Sequence, residues 1–212
     1  MSQLVEGHQL FKNNYFQEHE ENFVRLVKEG QSPKALFIGC SDSRVIPDLI
    51  LNTDPGDLFV VRNVGNFVPP HSFIEDFHAT ASAIEYAVSV LNVSEIIICG
   101  HTHCGACATL HTPEKVKGLP HLQKWLQIGE KARHLAVLSN ATGEALLRQT
   151  EKISITTQIE HILTYPEVKK RVINRELHIH GWLYHIENGE IEYYDPESKS
   201  FRPLSDNVKR ER

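Results

Sequence analysis

The chain predicts a single α/β domain built on a mostly parallel sheet, and three observations carry that prediction. Apolar runs at 35–39, 58–61 and 95–100 do not alternate with polar residues, as expected of strands covered on both faces. A helical stretch at about 73–91 separates the last two, giving a β-α-β unit whose crossover should be right-handed. A further apolar run at 176–186 meets an Asn-Gly turn and a short return strand. The expected sheet has about four parallel strands plus an antiparallel edge strand from this C-terminal hairpin, flanked by helices.

The elements follow in order. Phe11, Tyr15, Phe23, Leu26 and Val27 recur at helical spacing, which predicts a helix over 8–29 ended by Gly30 and Pro33. It precedes the first strand and carries aromatics at a terminus, so residues 1–30 are expected to form a helical arm that packs on another subunit. In the stretch at 73–91, Phe77, Thr80, Ala81, Ile84, Tyr86, Val88 and Leu91 are apolar or small. Region 104–175 reads as largely helical, punctuated by Pro113, Gly118-Leu119-Pro120, Gly143 and Pro166. Glu187-Asn188-Gly189-Glu190 reads as a hairpin turn, and Ile191-Glu192-Tyr193-Tyr194 returns antiparallel. With no repeat and no linker, residues 1–212 form one domain, with 205–212 a flexible, solvated tail.

Composition narrows the function classes. At 212 residues the chain can bury a proper core, and its net charge of −5 includes no basic cluster for nucleic acid. No apolar run approaches membrane-spanning length. The first eight residues lack a basic stretch followed by an apolar one, and four cysteines make no disulfide scaffold. A reducing, cytoplasmic setting is expected.

The chemistry concentrates in two segments, Cys40-Ser41-Asp42-Ser43-Arg44 and His101-Thr102-His103-Cys104-Gly105, each directly after an expected strand. In an open parallel sheet such positions converge beyond the carboxyl ends of the strands. Thiolate and imidazole are preferred zinc ligands, and two Cys plus one His leave the open position of a catalytic site. One strand-to-helix turn can present His101 and Cys104, while Cys40 arrives from a neighbouring strand. Asp42 and Arg44 are close enough to pair, which would keep the carboxylate ionised and able to orient a zinc-bound hydroxide.

Taken singly, each residue has a plainer explanation: a buried Cys, a core or surface His, a loop ion pair. Their joint occurrence after two strands favours a site. A competing reading is dithiol redox chemistry at Cys104-Gly105-Ala106-Cys107, at a helix N-terminus that lowers thiol pKa. It leaves Cys40, Asp42 and His101 unexplained. Cys99 lies inside a strand and reads as packing.

Cys-Ser-Asp-Ser-Arg-Val-Ile-Pro at 40–47, Glu85-Tyr86-Ala87 and the run 96–105 resemble the signatures of the β-class carbonic anhydrases. Gly56–Asn66 and His180-Gly181-Trp182 with Tyr184 are also similar, so the resemblance spans about residues 8–204. It implies reversible hydration of CO2 to bicarbonate at one Zn2+ per subunit, in a homodimer or homotetramer. By matching positions, Cys40, His101 and Cys104 are metal ligands, Asp42 and Arg44 the orienting dyad, and Gly105 a backbone N–H donor to substrate. Gln31 would reach substrate across a dimer interface, and Phe59, Val64 and Tyr86 would form an apolar cleft wall.

Some members close at low pH by moving the Asp onto zinc, using a Trp, an Arg and a Tyr to hold bicarbonate. This chain has Arg62 and Tyr184 but Phe37 at the Trp position, which predicts a permanently open site. His103 and Cys107 are unexplained by the resemblance; His103 reads first as an exposed loop residue, with a proton relay beside the site as the alternative. Hydrolysis of COS or CS2 on the same zinc scaffold is the alternative within the fold.

Overall fold

A computed structural model describes residues 1–72 and 78–205. The expected start of the 73–91 helix, including Phe77, and nearly all of the expected 205–212 tail lie outside those residues.

The arm differs from the single helix expected at 8–29. It is three helices, α1 Ser2–Asn13, α2 Tyr15–Glu18 and α3 Glu20–Glu29. The breaks fall at Asn14 and His19, which leave helical geometry. Aromatic contacts explain the folding back: Tyr15 stacks on His19 at 4.2 Å between centroids, Phe16 on Phe23 at 5.0 Å, and Phe11 meets Phe23 edge-on. None of the three helices contains a buried residue.

Beyond the arm come β1 Ala35–Cys40, α4 Pro47–Leu51, β2 Leu58–Asn63, α5 Ala79–Glu85 with a π-helical turn Tyr86–Val90, and β3 Glu95–His101. The helical region follows as α6 Gly105–Thr109, α7 Pro120–Leu126, α8 Glu130–Leu138, α9 Gly143–Ile162 and α10 Pro166–Ile173. The expected breakers open elements here: Pro120 and Pro166 occupy the first turns of α7 and α10, where a missing N–H costs nothing. β4 His178–Tyr184, β5 Ile191–Asp195 and β6 Ser200–Pro203 complete the chain.

The six strands run in the order β2-β1-β3-β4-β5-β6, the first four parallel and the last two antiparallel. β5 is therefore not the edge; β6, which the polar sequence Ser200-Phe201-Arg202-Pro203 hides, pairs outside it. The hairpin turn also differs. Gly189 alone takes positive φ (79°), with His185 and Glu190 closing a longer loop through His185 N–H to Glu190 O. β1 and β3 are buried along their length, as their unbroken apolar sequence predicts, but β2 alternates in exposure because it is the opposite edge.

One face of the sheet packs Leu36, Ile38, Ile96, Ile98 and Leu183 against Ile155 and Ile162 of α9. Glycine permits this approach. A Cβ at Gly100 would sit 2.8 Å from Ile155, and one at Gly181 2.8 Å from both Ile155 and Ile159. Buried Arg171 of α10 donates to the carbonyls of Val88, Val93 and Glu176, tying the π turn and the entrances of β3 and β4 together.

Candidate metal centre

Cys40 ends β1, His101 ends the adjacent β3, and Cys104 caps α6 three residues on. This places all three at the carboxyl edge of the sheet. Their ligand atoms lie within 4.8 Å of one another, and among the described residues no other group of His, Cys, Asp or Glu could hold a metal ion. All three are buried, at 6, 1 and 2 % exposure.

The donor set fits zinc on the structure's own terms. His101 Nδ1 pairs with the Thr102 carbonyl at 2.8 Å, so it carries the proton and Nε2 presents the lone pair. That Nε2 is buried with no hydrogen-bond partner, aimed at the two thiols. The Cys40 thiol is pushed up to about 12, first by its hydrogen bond with Cys104 and then by burial. Cys104 is raised well above its ordinary value, led by its neighbour Cys107. Thiols this close and this dry ionise together only if a cation compensates them.

Supporting contacts hold each ligand in place. The Gly65 N–H approaches Cys40 Sγ at 3.4 Å from a backbone with φ +82°. A Cβ there would meet Ala106 Cβ at 2.8 Å and the Phe67 ring at 2.9 Å, so only glycine fits. Arg62 Nε donates to Cys40 O at 3.0 Å and its Nη2 to Asp42 O at 2.6 Å, clamping the loop after β1.

The expected dyad is formed. Arg44 donates through Nε to Asp42 Oδ1 at 2.9 Å and through Nη2 to Oδ2 at 2.8 Å, a two-pronged match of guanidinium to carboxylate. These hydrogen bonds hold the Asp42 carboxyl well below the usual carboxylate range. Asp42 Oδ2 lies 3.9 Å from His101 Nε2, next to the donor cluster.

A cavity of about 390 Å³ opens over the cluster, lined by Cys40, Asp42, Val64, Gly105, Leu122 and Leu126 among others. Val64 and Gly105 are thus where the sequence puts them. Phe59, Tyr86 and Gln31 are not on its walls. Phe59 and Tyr86 pair with each other at 5.8 Å, and Phe59 registers with Leu36 near the amino end of β1. Gln31 precedes that end, and its neighbours Gly30 and Ser32 line a pocket with Asp54–Asp57. At about 3.3 Å per residue, β1 separates its two ends by roughly 17 Å. His103 takes positive φ (58°) and its half-exposed ring faces Glu187 at 3.9 Å, outside the cavity. Cys107 is buried one turn into α6, and Cys99 is buried in β3 with its thiol pushed up to about 12 by desolvation.

Glu151 was not among the expected residues. It sits on α9 at 2 % exposure, and its Oε1 accepts the Cys104 N–H at 3.0 Å and Arg148 Nη2 at 2.9 Å. Burial pushes its carboxyl up to about 7. The available signal was a carboxylate on the buried face of α9, in step with Ser154, Ile155 and Gln158.

Comparison with known proteins agrees with this geometry. The sequence profile described as carbonic anhydrase matches residues 35–191. A carbonic anhydrase of Synechocystis is 41 % identical over 198 residues, covering 92 % of this chain and 71 % of that protein. One from Helicobacter pylori strain J99 is 38 % identical over 206 residues, covering 94 % and 92 %. Among solved structures, the β-carbonic anhydrase CcaA superposes with a TM-score of 0.90 at 40 % identity, covering 96 % of this chain and 91 % of that one. A structure described as one of two tetrameric β-carbonic anhydrases of Sordaria macrospora gives 0.80 at 29 % identity, covering 91 % and 95 %. Neither redox chemistry nor a sulfur-substrate hydrolase is favoured by this set, and the cluster joins Cys104 to Cys40 and His101. A shared profile over most of the chain, close relatives along nearly its full length and a Cys-His-Cys cluster place this chain in the carbonic anhydrase family, in its β class.

Proposed function

We propose that Cys40, His101 and Cys104 hold the zinc with which this enzyme hydrates CO2 reversibly, and that Asp42, fixed by Arg44, orients the attacking water. The observation that carries the assignment is the buried, unpartnered His101 Nε2 facing two thiols, 3.9 Å from a locked carboxylate. Zinc, when bound, supplies the Lewis acidity that makes water a nucleophile at neutral pH.

The protein's own groups do the rest. Ionised Asp42 offers an acceptor to one proton of the water and so aims its lone pair, while the dyad hydrogen bonds stop the carboxylate from rotating away. Val64, Leu122 and Leu126 give an apolar wall suited to CO2, which has no charge or net dipole to bind. Gly105, with open space where a Cβ would be, lets its N–H face the oxygen that gains charge.

Gln31, Phe59 and Tyr86 cannot serve the cavity of their own protomer, given the span of β1. They serve a partner's in a dimer, to which the arm belongs. The related tetramer of Sordaria macrospora supports an assembled form. Four free thiols suit a cytoplasmic protein. The site is of the permanently open kind: Arg44 grips Asp42, and Arg62, which would otherwise receive bicarbonate, is tied through Nε and Nη2 to the Cys40 and Asp42 carbonyls.

Stopped-flow CO2 hydration with parallel zinc analysis tests the assignment. One zinc per chain, fast hydration and a large loss in Asp42→Ala are expected. Full zinc content in a Cys40→Ser, His101→Ala double variant would overturn the ligand set. An acidic-pH structure with Asp42 released from Arg44 onto the metal would overturn the open form.

A further inference from the structure

Each CO2 hydrated releases one proton, and the groups around the metal donors are unsuited to carry it away. Apart from Cys40 and Asp42, the described residues lining the 390 Å³ cavity have no ionisable side chain. Asp42 is held ionised by Arg44. His103, the alternative relay weighed from the sequence, faces Glu187 and does not line the cavity.

A second cavity, of about 580 Å³, shares Ser41, Val64 and Leu122 with the first. Two imidazoles line it, His78 just before α5 and His121 in the first turn of α7. They are its only titratable lining residues among those described. His78 Nδ1 is buried and has no hydrogen-bond partner. Its ring stands 5.7 Å from that of Trp125, whose indole is fixed by a 2.7 Å hydrogen bond to Val64 O. The backbone of His78 is anchored in turn, its carbonyl accepting from Ser82 Oγ at 3.2 Å. Among the described residues, the other groups facing it, Ser41, Asn63 at the end of β2, Val64, Thr80 of α5 and Leu122 of α7, carry no charge. A site of this size holds a chain of waters at about 30 Å³ each, so a proton can cross it without direct contact between the bases.

We propose that His78, with His121 at the cavity mouth, carries the proton from the metal cavity to solvent. The proposal rests on the carbonic anhydrase reading above and adds a route to it. A ring nitrogen of neutral His78 accepts, on its lone pair, the proton freed when water adds to CO2, giving bicarbonate and an imidazolium. The other nitrogen then releases its proton to His121 or to a buffer base, and exchange with solvent restores the starting tautomer. Imidazole suits the task because its proton exchange falls in the neutral range. Tucked against the indole, His78 is the inner station; exposed His121 is the outer one.

The test compares the zinc-loaded parent with His78→Ala, His78→Gln, His121→Ala and the double variant, in dilute and in concentrated buffer. In dilute buffer, kcat is expected to fall about 100-fold in either His78 variant and further in the double, with kcat/KM for CO2 unchanged. Added imidazole should restore kcat. Independently of turnover, nitrogen-15 NMR of the imidazoles should show the His78 ring taking up and giving back a proton. Unchanged kcat in dilute buffer, a parallel fall in kcat/KM, or a His78 ring that never changes protonation overturns the relay. A zinc-loaded parent that fails to hydrate CO2 overturns the enzymatic reading instead, and the relay with it.

Discussion

Replacing Glu151 with Gln separates two things this residue does. The amide keeps an oxygen for the Cys104 N–H and for Arg148, and removes only the charge. Burial raises the folded-state pKa from the ordinary 4.5 to about 7, so between those values the folded protein binds more protons than the unfolded chain. Stability contributed by the protonated form is therefore present below the ordinary value and is lost as pH rises through about 7. Integrated from pH 5 to pH 8, the difference is of order 2–3 kcal/mol. Urea unfolding of metal-free parent and Glu151→Gln at both pH values reads it directly, because no zinc linkage then enters. The variant should gain about 2–3 kcal/mol relative to the parent on going from pH 5 to pH 8. A gap that stays constant with pH refutes the argument: Arg148 would then be compensating the buried carboxylate in full. Glu151→Leu removes the acceptor as well. It strands the Cys104 N–H at about 1–3 kcal/mol and should weaken zinc binding by about 10–100-fold, two figures that agree in size.

Three further outcomes are expected. Asp42→Asn should keep zinc but lose about 100-fold in hydration rate, and the parent should show no loss of activity from Asp42 protonation between pH 6 and pH 9, since Arg44 holds that carboxyl down; stopped-flow pH profiles check both. Gly65→Ala forces a Cβ into Ala106 and Phe67 at a positive φ, so purified protein should carry much less than one zinc per chain by metal analysis. Arg171→Met leaves three carbonyls without this donor, at about 1–3 kcal/mol each, and should lower the melting temperature by roughly 6 °C or more, measured by calorimetry.

The Cys-His-Cys cluster and the Asp42–Arg44 pair were legible because each residue ends an unbroken apolar strand or follows its end by at most four residues, and β1 and β3 are the buried centre of the sheet. Parallel order followed from the same two runs. β6 was not legible, since Ser200-Phe201-Arg202-Pro203 is a short edge strand that offers the core one apolar side chain, Phe201, too few to make a pattern. The breaks at Asn14 and His19 depend on aromatic rings meeting across turns, which helical spacing does not encode. Proximity in sequence is a weak guide to the site: His103 is two residues from His101 yet is an exposed loop residue facing Glu187, as its position suggests, while His78, far along the chain, reaches the adjoining cavity. Glu151 escaped notice because its role depends on how α9 rotates against β3, and only the fold sets that rotation.

The centre strands and the arm also differ in how readily they come apart. Opening free energies in a folded protein run from near zero at exposed ends to the global value in core strands. Amides at Leu36–Ile38 and Ile96–Ile98 should then exchange with solvent only when the whole molecule unfolds, while those of residues 2–29, where nothing is buried, exchange freely in an isolated protomer. Two metal donors are mounted on the most persistent part of the chain, and Gln31 sits just past its least persistent part. Mild denaturant should accordingly produce a metal-loaded protein that has lost its arm contacts before any strand opens, so that activity disappears ahead of zinc.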